Sequence, residues 1–445
     1  MTGTADNFIV RGVTTPLERA RYVRDQLPTG GLFAGTTWRV APAAFPLAPA
    51  LVAELEALGP QLLAFYRACN LMYRHSVAGK LPHWIAGYLD AGKPPELVEL
   101  SRRERFKSHL PRVIRPDVIL SEDHFFITEL DSVPGGIGLT GWLGKTYGEL
   151  GDRIVGGPTG MMAGFDAAFE KPLAVVVSEE AATYRPEMEW LGRQCGFGVL
   201  RPEELTRFEN LRTVYRFFEL FDLPNVPNAA AILAAAGRGE IILSPPPKPQ
   251  LEEKMLFAFL WLEQLRPFWR EHLGEATWAK LRQVMPYTWM VNPTPLPPHA
   301  VIPELGIHDW REMAKFSQKQ RELVLKISGF HEHAWGSRGV YVGHDLPATE
   351  WAAAIERALE SFATHPFILQ RFEKSKLFRQ EYADFDAGVI REFPGRVRLC
   401  PYYFVTGETT TLGGVLATVC PADKKILHGM GDAVLAPCRV AEALV

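Results

Sequence analysis

Three carboxylates lie close together in the first third of the sequence. Asp117 follows Arg115 in "RPDVIL", and Glu129 and Asp131 occupy alternate positions in "ITELDSVPGGIG". Side chains two residues apart on a strand point to the same face, so Glu129 and Asp131 would face one way together. Carboxylates gathered in this way repel one another unless a cation neutralises them, and Mg²⁺ carried by a nucleotide suits such ligands. The other interpretation is the solvated face of a half-exposed sheet.

Two glycine-rich segments could offer backbone amides to a phosphate. One is "PGGIG", with Gly135 and Gly136, and the other is "WGSRGVYVG", with Gly336, Ser337 and Gly339. Amides in a glycine turn reach phosphate oxygens without interference from Cβ atoms. Neither segment matches a P-loop or a dinucleotide-binding fingerprint, so each taken alone is more simply a structural turn.

The second glycine segment has basic neighbours. Lys326 lies in the apolar run "LVLKIS", where a buried ammonium group needs an anionic partner, and Arg338 lies within the loop itself. A fixed cation on a strand combined with N–H donors from a loop suits a nucleotide triphosphate. The alternative is that Lys326 points to solvent from an edge strand.

The elements that would position these residues are both helical and extended. Residues 46–110 show helical apolar periodicity, and "DVIL" and "HFFITEL" around a turn at 121–123 predict a hairpin. The run "PLAVVVS" is typical of a buried parallel strand, and "LEEKMLFAFLWLEQL" predicts a long helix whose start carries Lys254. The sequence therefore predicts a mixed α/β (α+β) protein.

Composition narrows the class of protein. The chain has 445 residues, 47% of them hydrophobic and 22% charged, which predicts two or three globular domains. A net charge of -3 gives no reason to expect nucleic acid as a partner. The five cysteines form no C-x-x-C pair, which argues against a disulfide framework or a thiolate zinc site. No run approaches the roughly 20 apolar residues of a membrane span, so we expect a cytoplasmic protein without a membrane partner.

The order R-x-D, then E-x-D 12 residues after Asp117, then a glycine-rich turn, resembles the metal-binding hairpin of circularly permuted ATP-grasp proteins. The resemblance is to the synthetase domain of glutathionylspermidine synthetase, and "LEEKMLFAFLW", "LVLKISGF", "AWGSRGV" and "PFILQRF" follow in a consistent order. It implies ATP-grasp-like lobes in circularly permuted order. The implied division is a mainly helical region at 1–110, the metal-ligand hairpin and glycine turn at 111–165, a small α/β lobe at 166–250, and nucleotide-binding lobes with core strands at 251–445.

The resemblance also implies roles for individual residues. It makes Asp117, Glu129 and Asp131 the Mg²⁺ ligands. It makes Arg115 the catalytic arginine that stabilises the transferred phosphoryl group or the acyl phosphate, and Arg338 the catalytic-loop arginine that contacts phosphate. The resemblance assigns nucleotide binding to six residues: Lys254, Lys326, Gly336, Ser337, Gly339 and Gln370. It places Ser132, Gly135 and Gly136 in the wall of the substrate site.

The activity implied is that of an ATP- and Mg²⁺-dependent ligase that joins a small-molecule carboxylate to an amine through an acyl phosphate. An ATP-binding or scaffolding protein without turnover is a second hypothesis, because Asp131 stands where the family often has Asn and 72 residues separate Lys254 from Lys326. A small-molecule kinase is a third. An NAD-dependent reductase is the weakest, since "PLAVVVS" leads into Glu179 and Glu180 instead of a glycine fingerprint.

Two further motifs receive no role. "HEH" places His331 and His333 on one face of a predicted strand, but no third or fourth zinc ligand is evident nearby. "HGMGD" at 428–432 could close over a substrate, although a structural turn explains it equally well.

Overall fold

The computed structural model describes residues 10, 12–34, 38–131, 133–334, 338–424, 427 and 431–442. Helices and three sheets alternate along these residues, which confirms the predicted α/β class. The helices are α1 (Pro16–Asp25), α2 (Pro49–Val77), α3 (His83–Leu89), α4 (Pro95–Arg102), α5 (Ile137–Glu149), α6 (Gly160–Ala168), α7 (Arg185–Cys195), α8 (Ala229–Arg238), α9 (Met255–Trp261), α10 (Arg266–Leu273), α11 (Glu275–Val284) and α12 (Ala348–Glu360).

The largest sheet has seven strands in the order β1-β15-β14-β13-β2-β3, with β12 paired to β13 off this path. Its strands are β1 (Phe45–Leu47), β2 (Val113–Leu120), β3 (Phe125–Asp131), β12 (Leu377–Asp384), β13 (Val389–Thr406), β14 (Thr409–Pro421) and β15 (Val434–Val440). All pairs are antiparallel except β1 with β15. The predicted hairpin is confirmed as β2 and β3, with Arg115 opposite Asp131 and Asp117 opposite Glu129.

A small parallel sheet follows in the chain, in the order β5-β4-β6-β7. Its strands are β4 (Leu173–Val177), β5 (Gly198–Leu200), β6 (Thr213–Phe217) and β7 (Ile242–Ser244). Every residue of β4 is buried, as the continuous apolar run predicts, because helices cover both faces of the sheet. Val175 packs with α5, α6 and α7 on one face, and Val176 packs with α8 on the other.

The third sheet is antiparallel, in the order β10-β9-β11-β8. Its strands are β8 (Thr288–Met290), β9 (Leu323–Ile327), β10 (Val340–Val342) and β11 (Phe367–Arg371). The apolar face of α12 covers it through Trp351, Ile355 and Leu359. Strand β9 lies between β10 and β11, so Lys326 is on an interior strand, and the edge-strand interpretation of this lysine is wrong.

Helices pack on both faces of the large sheet. Helices α2, α9, α10 and α11 share a core with one face, and α5, α6 and α7 with the other. The short strand β1 ties the helical N-terminal part to the C-terminal strand β15. The boundaries at 110, 165 and 250 stay predictions. No helix in the described part of the chain is long and apolar enough to cross a bilayer.

Two local predictions are wrong. The run after Lys254 is not one long helix: α9 ends at Trp261 because Leu262 adopts an extended backbone, and α10 begins at Arg266 with Pro267 in its first turn. His331 and His333 do not lie on a strand, because β9 ends at Ile327 and residues 332–334 form a 3-10 turn. The "HGMGD" segment lies largely outside the described residues.

Candidate active site

A cavity of about 420 Å³ lies where the large sheet, the parallel sheet and the segment around Lys254 meet. Its lining includes many of the residues singled out in the sequence: Arg115, Asp117, Glu129, Asp131, Gly135, Gly136 and Lys254. Lys326 and Gln370 lie outside the lining, as does Gly339. Arg338 also lies outside the lining. The other three predicted site residues, Ser132, Gly336 and Ser337, lie outside the described residues.

Two arginines hold the carboxylates of the hairpin. Arg115 forms a salt bridge with Asp117 at 3.1 Å and another with Asp131, and Arg398 on β13 reaches Asp117 at 3.0 Å. Burial alone would raise the pKa of Asp117, but Arg398 and Arg115 outweigh it and hold that pKa below its ordinary value. The pKa of Asp131 is raised, chiefly by burial. Arg115 lowers this pKa, but the negative charges of Asp117 and Glu129 act with burial and raise it. Asp117 is therefore the better neutralised of the two carboxylates.

Lys254 is the cation nearest to the third carboxylate. It precedes the first residue of α9, and its Nζ contacts Glu129 Oε1 at 2.9 Å and donates to the carbonyl oxygen of Ala334 at 2.8 Å. Burial would lower the pKa of Lys254, but Glu129 and the other nearby carboxylates raise it above the ordinary value. Lys254 therefore connects the hairpin to Ala334, the residue that directly precedes the predicted phosphate loop.

Lys326 is buried among neutral acceptors. Its Nζ donates to the carbonyl oxygen of Thr128 at 3.0 Å and to Gln370 Oε1 at 2.9 Å, and the Gln370 amide donates to Thr288 Oγ1 at 3.2 Å. Burial lowers the pKa of Lys326 to about 8, with Lys254 acting in the same direction and Glu129 against it. No carboxylate in the described part of the chain forms a salt bridge with Lys326, so its charge is incompletely compensated.

The glycine turn before α5 is fixed from both sides. Gly136 has φ +84°, and a Cβ there would lie 2.6 Å from the Tyr402 hydroxyl, so the position needs glycine. The carbonyl of Gly135 accepts from Tyr402 at 2.6 Å and from Arg115 at 3.2 Å. Glu187 accepts from the amides of Gly136 at 2.7 Å and Leu139 at 2.8 Å. The turn lines the cavity, but Glu187 already occupies two amides that a phosphate would use.

Glu187 itself is fully buried on α7. Burial raises its pKa to about 7, against the opposing hydrogen bonds from the Leu139 and Gly136 amides and the charge of Arg115. It thus joins the parallel-sheet part of the chain to the turn that orients Arg115.

Arg338 lies on the outer side of the site. Its guanidinium is about half exposed and stands 3.5 Å from Glu180, which follows β4. Gly339 is needed for close packing, because a Cβ there would lie 2.6 Å from the carbonyl oxygen of His333.

The parallel sheet supplies the opposite wall of the cavity. Ligands of open parallel sheets bind at the carboxyl ends of the strands, in the crevice where the strand order reverses. In the order β5-β4-β6-β7 that crevice lies between β4 and β6. Ser178 and Glu180 follow β4 and line the cavity, and Glu219 and Asp222 follow β6. This wall is acidic, whereas the wall formed by the large sheet carries Arg115 and Arg398 together with the three hairpin carboxylates.

Sequence reasoning missed Arg398 and Glu187. Arg398 lies in "RVRLC", where arginines alternate with apolar residues on β13, and that alternation is the one signal that could have indicated it. Glu187 lies in an ordinary amphipathic helix and carries no such signal.

The three carboxylates match a hard cation in their chemistry but are not arranged as a ready-made metal site. Among the described residues, no three histidine, cysteine or acidic side chains form a group that could hold a metal ion. Asp117, Glu129 and Asp131 are instead paired with Arg115, Arg398 and Lys254. The three negative and three positive charges of this cluster already balance. A divalent cation therefore fits here only together with an anion that draws the basic groups away from the carboxylates.

Comparison with known proteins finds similarity of fold. The structure matches the apo form of a glutathione synthetase-like effector (GSS30) from Globodera pallida, with a TM-score of 0.53 and 11% identity, over 98% of this chain and 100% of that chain. The two chains share a fold along their whole length. A putative gamma-glutamylcysteine synthetase from Methylobacillus flagellatus KT gives a TM-score of 0.37 and 12% identity, over 81% of this chain and 84% of that chain. No protein-family model and no curated protein matches the sequence.

Proposed function

We propose that the protein is an ATP- and Mg²⁺-dependent ligase that joins a carboxylate to an amine through an acyl phosphate. The observation that carries the proposal is the partly buried cluster in which Arg115, Arg398 and Lys254 balance three carboxylates beside the incompletely compensated Lys326. We assign the fold to the circularly permuted ATP-grasp proteins, because the acidic hairpin precedes both lysines in the chain. The likeness to a glutathione synthetase-like effector supports a ligase-type fold.

The two lysines would serve the triphosphate. Lys254 pairs with Glu129 in the free protein, and phosphate oxygens would replace that carboxylate as its partner. Lys326 has only neutral acceptors, so an anion beside it would relieve a desolvation cost that the fold otherwise bears. Gln370 would act mainly by holding Lys326.

The carboxylates freed from the basic groups would hold Mg²⁺. Asp117, Glu129 and Asp131 supply oxygen ligands, and the ion, when bound, supplies charge neutralisation for the phosphate oxygens. Because the cluster is balanced without the ion, we expect Mg²⁺ to bind tightly only with ATP.

The reaction would proceed in two steps. An oxygen of the substrate carboxylate attacks the γ-phosphorus of ATP, the bond from that phosphorus to the β-γ bridging oxygen breaks, and ADP leaves. The amine nitrogen then attacks the acyl carbon, inorganic phosphate leaves with the carboxylate oxygen, and the nitrogen releases a proton to water. Arg115 and Arg398 would stabilise the charge on the transferred phosphoryl group, so catalysis needs no nucleophilic side chain.

The two walls of the cavity differ in charge in a way that suits two substrates. The wall of the large sheet would offer Arg115 and Arg398 to the carboxylate once Mg²⁺ takes up the hairpin carboxylates. The acidic wall with Glu180, Glu219 and Asp222 favours the amine. Both walls line one cavity, so the two substrates would meet beside the phosphoryl group.

The test is ADP formation from ATP and Mg²⁺ with pooled carboxylates, in the presence and absence of pooled amines. We expect ADP release to need both pools. Hydroxylamine added in place of the amines should give a hydroxamate, because it attacks an acyl phosphate and displaces phosphate. The Lys254→Met variant serves as the control for contaminating ATPases, and a rate equal to that of the parent protein would contradict the assignment.

An ATP-binding protein without turnover is the second candidate. The observation that favours it is that Arg115 and Lys254 already pair with the three predicted metal ligands, Asp117, Glu129 and Asp131. Saturable Mg-ATP binding with no ADP formation across the pools would support this candidate over the ligase. A kinase would differ from both, because its phosphorylated product would persist and would not yield a hydroxamate.

A further inference from the structure

Three consecutive charged residues before α9 each pair with a different part of the fold. Glu252 forms a salt bridge with Arg216 of β6, and Lys254 forms one with Glu129 of β3. Between them, Glu253 pairs at 2.5 Å with Lys93, which lies in the N-terminal helical region between α3 and α4. The segment 252–254 is thus a junction of the parallel sheet, the helical region and the large sheet.

The pair of Lys93 and Glu253 is deeply buried. The two side chains are 1% and 2% exposed, and the second carboxylate oxygen of Glu253 accepts from the hydroxyl of Ser328. Such a pair is held in place by strong charge-assisted hydrogen bonds, and removing one partner leaves a buried charge uncompensated.

Ser328 connects this pair to the backbone on both sides of the Lys254 side chain. The amide of Lys254 donates to the carbonyl oxygen of Ser328 at 2.9 Å, and the amide of Met255 donates to the Ser328 hydroxyl at 2.9 Å. Glu253 therefore orients the Ser328 hydroxyl, and that hydroxyl in turn holds the first residue of α9. Any shift of Glu253 would move the point from which Lys254 reaches the cavity.

The loop after Ser328 is shaped by the same pair. A Cβ on Gly329 would lie 2.9 Å from Cδ of Glu253, so only glycine allows this approach. Phe330 follows with φ +43°, a conformation that non-glycine residues rarely adopt. Phe330 lines the cavity, and its ring centroid lies 5.6 Å from Lys93 Nζ. Backbone outliers of this kind are typical of functional sites.

The charge of Glu253 also bears on Lys254 directly. Glu253 is one of the carboxylates whose field acts on the Lys254 ammonium. With Lys93 in place, that carboxylate has its own cation. Without Lys93, Glu253 would be a second anion beside Lys254, competing for the lysine and repelling phosphate.

We propose that Lys93 is a positioning residue for Lys254: it neutralises Glu253 and holds it on Ser328, so that Lys254 stays available to the triphosphate. This inference rests on the proposed function, because it assumes that Lys254 binds nucleotide. It gives the N-terminal helical region a part in the nucleotide site that no sequence motif indicates.

The experiment is a calorimetric titration of the full-length protein with Mg-ATP. We expect Lys93→Met to weaken binding at least about tenfold, because the unpaired Glu253 takes up Lys254. Glu253→Gln should instead tighten binding about threefold, because it removes negative charge near the phosphates. The double variant should recover most of the affinity lost in Lys93→Met. Lys93→Arg keeps the charge and should bind more tightly than Lys93→Met.

A matched control is Arg19→Met, which removes a partly buried salt bridge to Asp152 at 2.9 Å in another part of the fold. It should lower stability without changing Mg-ATP affinity. A pair with a purely structural role would make Lys93→Met and Glu253→Gln weaken binding equally, and that outcome would overturn the inference. If Lys93→Met does not fold, the opposite prediction for Glu253→Gln decides alone. Absence of Mg-ATP binding by the parent protein would refute the proposed function, whereas normal binding by Lys93→Met would refute only this inference.

Discussion

Replacement of Lys326 by methionine should stabilise the protein while it weakens nucleotide binding. The side chain is buried with two neutral acceptors, and its pKa falls from 10.5 to about 8. Each tenfold change in proton affinity corresponds to about 1.4 kcal/mol, so keeping this ammonium charged near neutral pH costs the folded state about 3 kcal/mol.

Methionine removes that cost but also removes a donor. The carbonyl oxygen of Thr128 and Oε1 of Gln370 would each lose a hydrogen bond, at about 1 kcal/mol apiece. The variant should therefore be about 1 kcal/mol more stable than the parent near neutral pH. The affinity for Mg-ATP should fall at least about tenfold, because the variant lacks the cation that we propose binds the triphosphate.

The difference in stability should depend on pH in a defined window. Below about pH 8 the folded and unfolded states both hold the proton, and the cost is present in full. Between about pH 8 and 10.5 the unfolded state binds more protons than the folded state, so the parent protein gains stability relative to the variant as pH rises. Near pH 10 the parent should be about 1 to 2 kcal/mol more stable than the variant.

Urea unfolding of both proteins near pH 7 and near pH 10 measures this difference. Lys254→Met is the matched control, since it truncates a largely buried lysine whose pKa is raised through its carboxylate partner. It should lose about 2 kcal/mol by leaving Glu129 unpaired, with little change over the same pH range. A Lys326→Met variant that is less stable than the parent near pH 7, by an amount that pH does not alter, would refute the reasoning.

Three further predictions concern the acids and arginine around the cavity. Glu129→Gln should lower the rate of ADP formation at least about a hundredfold but the free energy of unfolding by only about 1 kcal/mol; a loss confined to stability would mark Glu129 as a structural acid. Glu187→Gln should remove a pH dependence of the free energy of unfolding, because the folded-state pKa of Glu187 is about 7 and lies above the ordinary 4.5. Urea unfolding should show the parent losing about 3 kcal/mol relative to the variant between about pH 4 and 8. Arg115→Lys should lower kcat more than it raises the KM for ATP, because a lysine cannot make the forked contacts to Asp117, Asp131 and Gly135. Unchanged steady-state kinetics would argue against a catalytic role for Arg115.

The parts of the site that could be predicted from the sequence depend on local pattern. Alternating residues and a short turn predicted the hairpin that brings Asp117 opposite Glu129. The apolar run around Lys326 correctly indicated a buried lysine. Gln370 was predicted to bind the nucleotide, yet both the oxygen and the nitrogen of its amide contact protein groups in the structure. The metal and nucleotide roles themselves stay predictions.

The parts that could not be predicted depend on contacts across the chain. Arg398 meets Asp117 across 281 residues, and Lys93 meets Glu253 across 160, and no local spacing encodes either pair. Tertiary packing also overrode two local patterns. An apolar run was divided into α9 and α10 at Leu262, and "HEH" became a turn instead of a strand.

The fate of the carboxylate oxygen tests the central claim most directly. The protein would be supplied with ATP, Mg²⁺, pooled amines and carboxylates labelled with oxygen-18, and the released phosphate would be analysed by mass spectrometry. An acyl phosphate intermediate predicts one labelled oxygen in each phosphate, formed together with one ADP. ADP formed together with phosphate that carries no label would contradict a carboxylate-amine ligase.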